Sequence, residues 1–404
     1  MRCLPAAAIV LLIPTPEALL GQSWTEKAVL DLFERQSPLH REARASVASA
    51  VEEMRGRTLW ANPAFQYSRE AAGFTEFYQV EQPLPISGRV AYYRRALAPV
   101  KEAAEAQTEA RFWEARASLR QAFYRLFASQ QQAETIEASL CDLAEIHRIL
   151  SERERQGEGS RYDRLRAERE LRELRTDLTM AGARTHQERA VLLSYLPRDA
   201  ALQRVEGDLG PRHLLFTREE ALQQALRRRA ELRVESARLA QVDLERQAAE
   251  RLRYPEPVFS AGLKRADLAL NRLDHGVVFG LTLPLPLFNK GRTEVARLSA
   301  ERERTQARRE LLAQHVQATV GGAWDLYSTR LEALPAFEKQ TSEITDDLLR
   351  TARVGYQEGE LGILELLDAY RVQRQTRLRR LEIQAAVKEA EIELSRVVGA
   401  EVTQ

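Results

Sequence analysis

Gln82-Pro83-Leu84-Pro85-Ile86-Ser87-Gly88-Arg89 has a near copy in the same chain, Leu283-Pro284-Leu285-Pro286-Leu287-Phe288-Asn289-Lys290-Gly291-Arg292, roughly 200 residues further on. In each copy two prolines flank one leucine. Proline lacks the N–H that a strand ladder needs and biases its predecessor away from helix, so the element ends an extended segment before a helix begins. Pro83, Pro85, Pro284 and Pro286 therefore mark two strand-to-helix transitions.

Other blocks repeat in the same order. Trp24-Thr25 and Phe216-Thr217 each open an amphipathic helix, after which Arg41, Ala45, Ala48 and Pro63 match Arg233, Ala237, Ala240 and Pro255. Later, Gly157-Glu158, Leu165 and Ala167 fall on Gly359-Glu360, Leu367 and Ala369. The chain reads as two structural repeats, residues 23–209 and 210–404, behind an export signal at 1–22. Arg2 is the positive start of that signal, Cys3 to Ile13 its apolar stretch, and Ala18 and Gly21 are small residues suited to cleavage.

Each repeat has the order helix, hairpin, very long helix, turn, helix. In the first, a helix is expected over Thr25–Leu59, and extended segments over Ala64–Arg69 and Thr75–Leu84 form a hairpin at about 62–85. In the second, extended segments over Pro257–Ala266 and Gly276–Leu285 form a hairpin at about 256–286, with a loop around Asn271-Arg272-Leu273-Asp274. Val277-Val278-Phe279-Gly280-Leu281-Thr282-Leu283 alternates large apolar with small or polar residues, which suits a strand with one face in hydrocarbon. Long helices are expected over Val90–Arg155 and Thr293–Gln357, each roughly 100 Å at 1.5 Å per residue. Leu119, Ala122, Phe123, Leu126, Ala133 and Ile136 have the spacing of a lateral helix seam. Turns near 157–160 and 359–362 close each helical hairpin.

Composition agrees with this reading. The 404 residues hold few Gly (19) and Pro (15) for their length, as long solvated helices require. With 60 basic and 59 acidic residues the net charge is +1, which offers no field for nucleic acid, so no nucleic-acid partner is expected. No segment of the mature chain is long and apolar enough for a spanning helix. Cys141 is the one thiol of the mature chain and is expected as a small packing residue in a helix. Membrane insertion must then come from the strands. Four strands cannot close a useful barrel, and open edges go unpaired in hydrocarbon, so several chains must share one; three would supply twelve strands. The expected fold class is mainly α with a membrane β-barrel portion.

The ordered set of Asn62-Pro63, the two Pro-Leu-Pro exits, Tyr356-Gln357-Glu358-Gly359 and Leu364-Glu365-Leu366-Leu367-Asp368-Ala369 resembles the TolC family of outer-membrane efflux proteins, over nearly the whole mature chain. The resemblance implies a homotrimer in the outer membrane of a Gram-negative bacterium, with a twelve-stranded barrel set in lipid and an α-helical barrel crossing the periplasm. The implied partners are a periplasmic membrane-fusion adaptor and an inner-membrane resistance-nodulation-division pump. It also places Glu365 and Asp368 in a periplasmic constriction, where threefold repetition would make a cation-attracting throat. Gly157, Ser160, Asp163, Gly359 and Gly362 fall in the turns that would meet the adaptor. Leu361 departs from the basic residue that some relatives use to lock the closed state. The exit motifs look most like the cobalt-zinc-cadmium and copper-silver branch, which implies metal efflux.

No catalytic role is expected. His40, His147, His186, His213, His275 and His315 have no metal-ligand spacing, no nucleophile or phosphate-loop motif occurs, and neither cofactor nor bound metal is expected. Asn289-Lys290-Gly291-Arg292 reads as a turn and charged helix cap in preference to an anion site. Phe112, Trp113, Phe123, Tyr124 and Phe127 read as a packing stripe. The rival reading is a periplasmic coiled-coil adaptor, which would not need duplicated hairpins with apolar faces. A duct for drugs or for type I protein secretion is the alternative cargo.

Overall fold

A computed structural model of the chain describes residues 24–70, 75–198, 200, 202–267 and 273–403. The expected signal peptide, the Ala71-Ala72-Gly73 link and Asn271-Arg272 lie outside the described residues. The first half runs β1 (Trp24–Thr25), α1 (Glu26–Gln36), α2 (Leu39–Gly56), β2 (Ala64–Glu70), β3 (Thr75–Pro83), α3 (Arg89–Arg155) and α4 (Arg161–Leu193). The second runs β4 (Val205–Glu206), α5 (Arg218–Arg228), α6 (Ala230–Glu250), β5 (Val258–Asp267), β6 (Leu273–Thr282), α7 (Arg292–Phe337), α8 (Glu343–Glu358) and α9 (Ile363–Val398).

Three expectations are corrected. The first helix is not continuous over Thr25–Leu59: it breaks at Ser37, held extended with ψ 131° by the following Pro38. The matching break between α5 and α6 falls at Arg229, ψ 122°, without a proline, so the bend belongs to the fold rather than to Pro38 alone. The second long helix is interrupted by a π-helical turn, Glu338–Ser342, just after Pro335, whose missing N–H loosens the ladder there. Strand β6 starts at Leu273 and stops at Thr282, earlier at both ends than expected, because Pro284 cannot donate to the ladder. The first long helix is as expected: α3 has 67 residues and contains Pro99 without breaking.

The four long strands form one antiparallel sheet, β2-β3-β5-β6. Register puts Phe65, Val80, Ala261 and Phe279 in one cross-strand row, and Tyr67, Tyr78, Leu263 and Val277 in the next. All of these but Ala261 are exposed. The opposite face carries mostly polar or small residues, Gln66, Gln79, Ser260, Gly262, Lys264 and Gly280, with Phe77 and Val278 among them. This is the division of a barrel wall, apolar outside and polar within. At the hairpin end the Tyr67 and Tyr78 rings lie with centroids 5.2 Å apart, and both hydroxyls donate to Glu76 at 3.2 Å. An aromatic pair with its polar tips turned to one rim is how tyrosine sits at a membrane boundary.

Below the sheet, α2, α3, α6 and α7 pack side by side in the same lateral order as the strands they continue. Farther on, α3, α4, α8 and α9 share a second core built from Leu143, Leu150, Leu171, Leu174, Leu349, Leu366 and Leu367. Between the two regions the first and last described segments are tied in. Strand β1 pairs in parallel with β4, and Leu214 bridges Thr403. Leu119, Ala122, Phe123, Leu126 and Ile136 of the expected seam are buried, and Ala133 is half-buried. Of the aromatic stripe, Phe123 and Tyr124 are core residues, Phe112 and Phe127 pack at its edge, and Trp113 donates to the Ser395 and Arg396 carbonyls. Cys141 is not a packing residue: it is exposed on α3. No helix among the described residues is long and apolar enough to cross a membrane.

Candidate channel wall, throat and docking turns

The two strand-to-helix transitions are built alike. After β3 the Ile86 N–H donates to the Leu84 carbonyl across Pro85, and after β6 the Leu287 N–H donates to the Leu285 carbonyl across Pro286, both at 2.8 Å. Each turn then reaches a glycine of positive φ, Gly88 at 81° and Gly291 at 75°, which caps α3 and α7 respectively. Pro83 and Pro284 end the strands, and Pro85 and Pro286 close these three-residue turns. At Gly291 a Cβ would lie 2.8 Å from Leu252 Cβ and 2.9 Å from the Ala249 carbonyl, so glycine is needed there for space as well as for φ. Asn289 accepts from the Gly291 N–H at 3.0 Å, which forms the turn expected of Asn289-Lys290-Gly291-Arg292; no side chain caps α7, whose N-cap is Gly291 itself.

At the far end, Gly157 (φ 78°) and Gly359 (φ 79°) reverse the chain. Ser160 caps α4 by accepting from the Tyr162 N–H at 3.1 Å, and Asp163 sits in the first turn, where negative charge complements the helix end. Arg164 ties the turn together through ion pairs to Glu154 and Glu168. In the other turn the Glu360 and Leu361 N–H groups both donate to the Gly355 carbonyl, at 2.8 and 3.0 Å, and Gly362 starts α9. Leu361 folds over Gly355, where a Cβ would meet its side chain at 2.9 Å. The two turns lie at the same end of the molecule: Arg153, before one, sits 6.0 Å from the ring centroid of Tyr356, before the other.

Glu365 and Asp368 stand three residues apart on the exposed face of α9, while Ile363, Leu366, Leu367 and Ala369 fill its core face. The Asp368 side chain is 65% exposed and lies 3.9 Å from Arg371, which also donates to Glu170 at 3.4 Å. One step on, the Arg353 Nε donates to the Tyr370 hydroxyl at 2.8 Å. The structure thus keeps both acids together, and adds Arg371, Glu170, Arg353 and Tyr370, which the sequence reading missed. The spacing of Asp368 and Arg371 was visible; the partners from α4 and α8 were not.

A second group missed in the sequence lies in the tied region. Arg120 on α3 donates to Glu26 at 2.5 Å and to Glu401 at 2.8 Å, and the Tyr124 hydroxyl donates to Glu26 at 2.6 Å. Lys388 and Glu391, both 0% exposed, pair at 2.6 Å, and Thr403 donates to Glu391 at 2.9 Å. These bonds join the first helix of the described chain, the long helix α3 and the last residues. Burial alone would raise the Glu26 carboxyl, but Arg120, Tyr124 and Arg212 outweigh it and hold it below its ordinary value. A carboxylate depressed on folding adds stability above its unfolded value and loses it as pH falls through the folded one. Acid destabilisation below the ordinary glutamate value of 4.5 is therefore expected to be smaller for Glu26→Gln than for the wild type, measured by thermal melts followed by circular dichroism. Equal pH dependence of the two proteins would contradict this.

An antiparallel sheet with an apolar outer face, unpaired outer edges and long helices running on from its strands has the architecture of an outer-membrane channel chain. The family model for outer membrane efflux proteins matches residues 221–400. The chain is 25% identical to the cobalt-zinc-cadmium resistance protein CzcC of Cupriavidus metallidurans over 95% of this chain and 96% of that protein. Two solved structures share the fold. CusC, described by its transmembrane channel formation, has a TM-score of 0.75 and 18% identity over 93% of this chain and 92% of that one. The outer membrane protein VceC of Vibrio cholerae has a TM-score of 0.75 and 16% identity over 93% of this chain and 96% of that one.

Proposed function

We propose that three copies of this chain form a passive duct of a tripartite efflux system, carrying heavy-metal cations from an adaptor and inner-membrane pump to the outside. The sheet carries this reading: β2 and β6 keep one unpaired edge each, and an apolar face in lipid requires those edges to be closed by other copies. In this reading the repeats 23–209 and 210–404 each contribute one hairpin to the barrel wall and one helical hairpin to the periplasmic tube. Gly157, Ser160, Asp163, Gly359 and Gly362 shape the turns that meet the adaptor, and outer-membrane lipid surrounds the strands. The cargo reading is supported by the similarity, along nearly the full length of both chains, to a protein named for cobalt, zinc and cadmium resistance.

Glu365 and Asp368 are the acids proposed for the throat. Their shared exposed face on α9 would bring six carboxylates to one ring in a trimer, favouring cations over anions. A deletion strain is expected to become sensitive to cobalt, zinc or cadmium, with resistance restored by the wild-type gene. The Glu365→Gln/Asp368→Asn protein is expected to lose most cation selectivity in planar bilayers. Unchanged sensitivity to all these metals would refute the cargo, and unchanged selectivity would refute the throat.

A further inference from the structure

We propose that the periplasmic rim of the barrel holds a specific site for the phosphate of an anionic phospholipid of the inner leaflet, with Arg251 and Arg95 as its cationic side. The proposal rests on the membrane-channel assignment. Arg251 follows α6 in a short 3₁₀ turn, Arg251–Arg253, that leads into β5. Its guanidinium donates to the Tyr92 hydroxyl at 2.9 Å and stands 5.4 Å from the Tyr92 ring centroid. Arg95 stands 5.6 Å from the centroid of the same ring. Two guanidiniums therefore share one tyrosine, and no carboxylate among the described residues forms an ion pair with either. Two guanidiniums around one ring, with only the more distant Glu250 acting on Arg251, attract an anion.

Arg251 lines a pocket of about 300 Å³ together with Tyr254, Pro284, Leu285, Pro286 and Asn289. The apolar side of that pocket identifies the ligand. Leu281, Leu283, Leu285 and Leu287 recur at every second position and are 68%, 48%, 63% and 66% exposed. The first of them belongs to the outward row of β6, so this row carries the lipid-facing surface of the barrel down to the pocket mouth. Phe288 beside it is fully exposed. Exposed leucines and a phenylalanine next to a cationic pocket at the end of a barrel wall present acyl-chain and headgroup contacts in the order a phospholipid offers them. A free phosphate would use the arginines and leave the apolar rim uncovered. Glu256, also in the pocket wall, is already paired with Arg89 at 3.1 Å and accepts from Ser87 at 2.5 Å. It is neutralised within the protein.

Native mass spectrometry of the intact protein in detergent tests the site, with phosphatidylglycerol and phosphatidylcholine of identical acyl chains as probes and inorganic phosphate as competitor. The wild type is expected to retain phosphatidylglycerol over phosphatidylcholine. Arg251→Gln and Arg95→Gln should each cut that preference about fivefold, the ratio one basic side chain contributes at an anionic interface. Arg95 is exposed, so its variant gives a reading even where Arg251→Gln fails to assemble. Equal retention of both lipids by the wild type, or a preference unchanged in Arg95→Gln, overturns the proposal. So does displacement of the lipid by millimolar inorganic phosphate, which would mark a free-anion site. Membrane fractionation of the same preparations reads the channel assignment separately: protein absent from the outer membrane would contradict that assignment, not the headgroup site alone.

Discussion

Gly262→Ala is expected to abolish stable insertion of the protein in the outer membrane, although alanine is the smallest possible addition. Gly262 lies in β5 on the inner face of the sheet, opposite Gln79 of β3 and Val278 of β6. A Cβ there would fall inside the van der Waals radius of the Tyr78 carbonyl oxygen and 2.8 Å from Gln79 Cα. Both atoms are backbone of the neighbouring strand, so no rotamer change relieves the contact. Overpacking in a core costs about 1–3 kcal/mol when side chains can give way. Here the pairing of β3 with β5 must open, and that pairing joins the two hairpins into one wall.

Two other glycines calibrate the effect. At Gly280 a Cβ would meet only the Ser260 hydroxyl, which can rotate, and at Gly276 it would meet nothing within 4 Å. Gly280→Ala is therefore expected to be mild and Gly276→Ala neutral. The measurement is the amount of each variant in the outer-membrane fraction and its detergent-resistant oligomer. If Gly262→Ala assembles as well as Gly276→Ala, the close approach of β3 and β5 is wrong.

Glu391→Leu is expected to destabilise the helical region by about 3–5 kcal/mol, because it leaves a buried ammonium without its counter-ion. Lys388 would retain the Tyr124 ring, 5.3 Å away, and the more distant Glu26 as favourable influences on its charge, against repulsion from Arg212. Even in the wild type, burial pulls the Lys388 ammonium below its ordinary range against the opposing pull of Glu391. That direction indicates that the pair does not fully offset its own desolvation. The Lys388→Met/Glu391→Leu double variant should consequently recover most of the loss. Part is not recovered, since Thr403 and Arg120 also address Glu391, at 2.9 and 3.9 Å. Thermal melts of the four proteins, combined as a double-mutant cycle, check this. Additive losses would show that the two side chains do not act as a pair.

The parts legible in the sequence were those written in short-range signals. Alternation of Val277, Phe279 and Leu281 announced a strand with one apolar face, since side chains on a strand alternate sides whatever the rest of the chain does. Pro83, Pro85, Pro284 and Pro286 announced strand ends because a missing N–H is a property of the residue itself. Pro38 offered the same kind of signal for the break between α1 and α2, and it was passed over. Arg229 offered none. Cys141 looked like a packing residue because its helix is amphipathic only in part, and which side of such a helix is covered depends on α4 and α9.

Glu365 and Asp368 were singled out by the family resemblance, and their spacing already placed them side by side on one helix face. That Arg371 reaches back to Glu170 on another helix was not legible. Lys388 and Glu391 carried no sequence signal of their position, yet they are fully buried. Burial of a charge follows from what packs over it, here α3 and the last residues of the chain.

Sequence alone thus determined the duplicated order of elements, the strand ends, the length of α3 and the class of membrane structure, all set by local periodicity and by residues whose backbone chemistry is fixed. Tertiary structure decided that β3 joins β5 so that two hairpins make one wall, that α1, α3 and the last described residues meet around a buried Lys388–Glu391 pair, and that Arg251 and Arg95 share one tyrosine. Each of these depends on contacts between residues far apart in the chain, where burial and distance set the energy and local pattern carries no record of either.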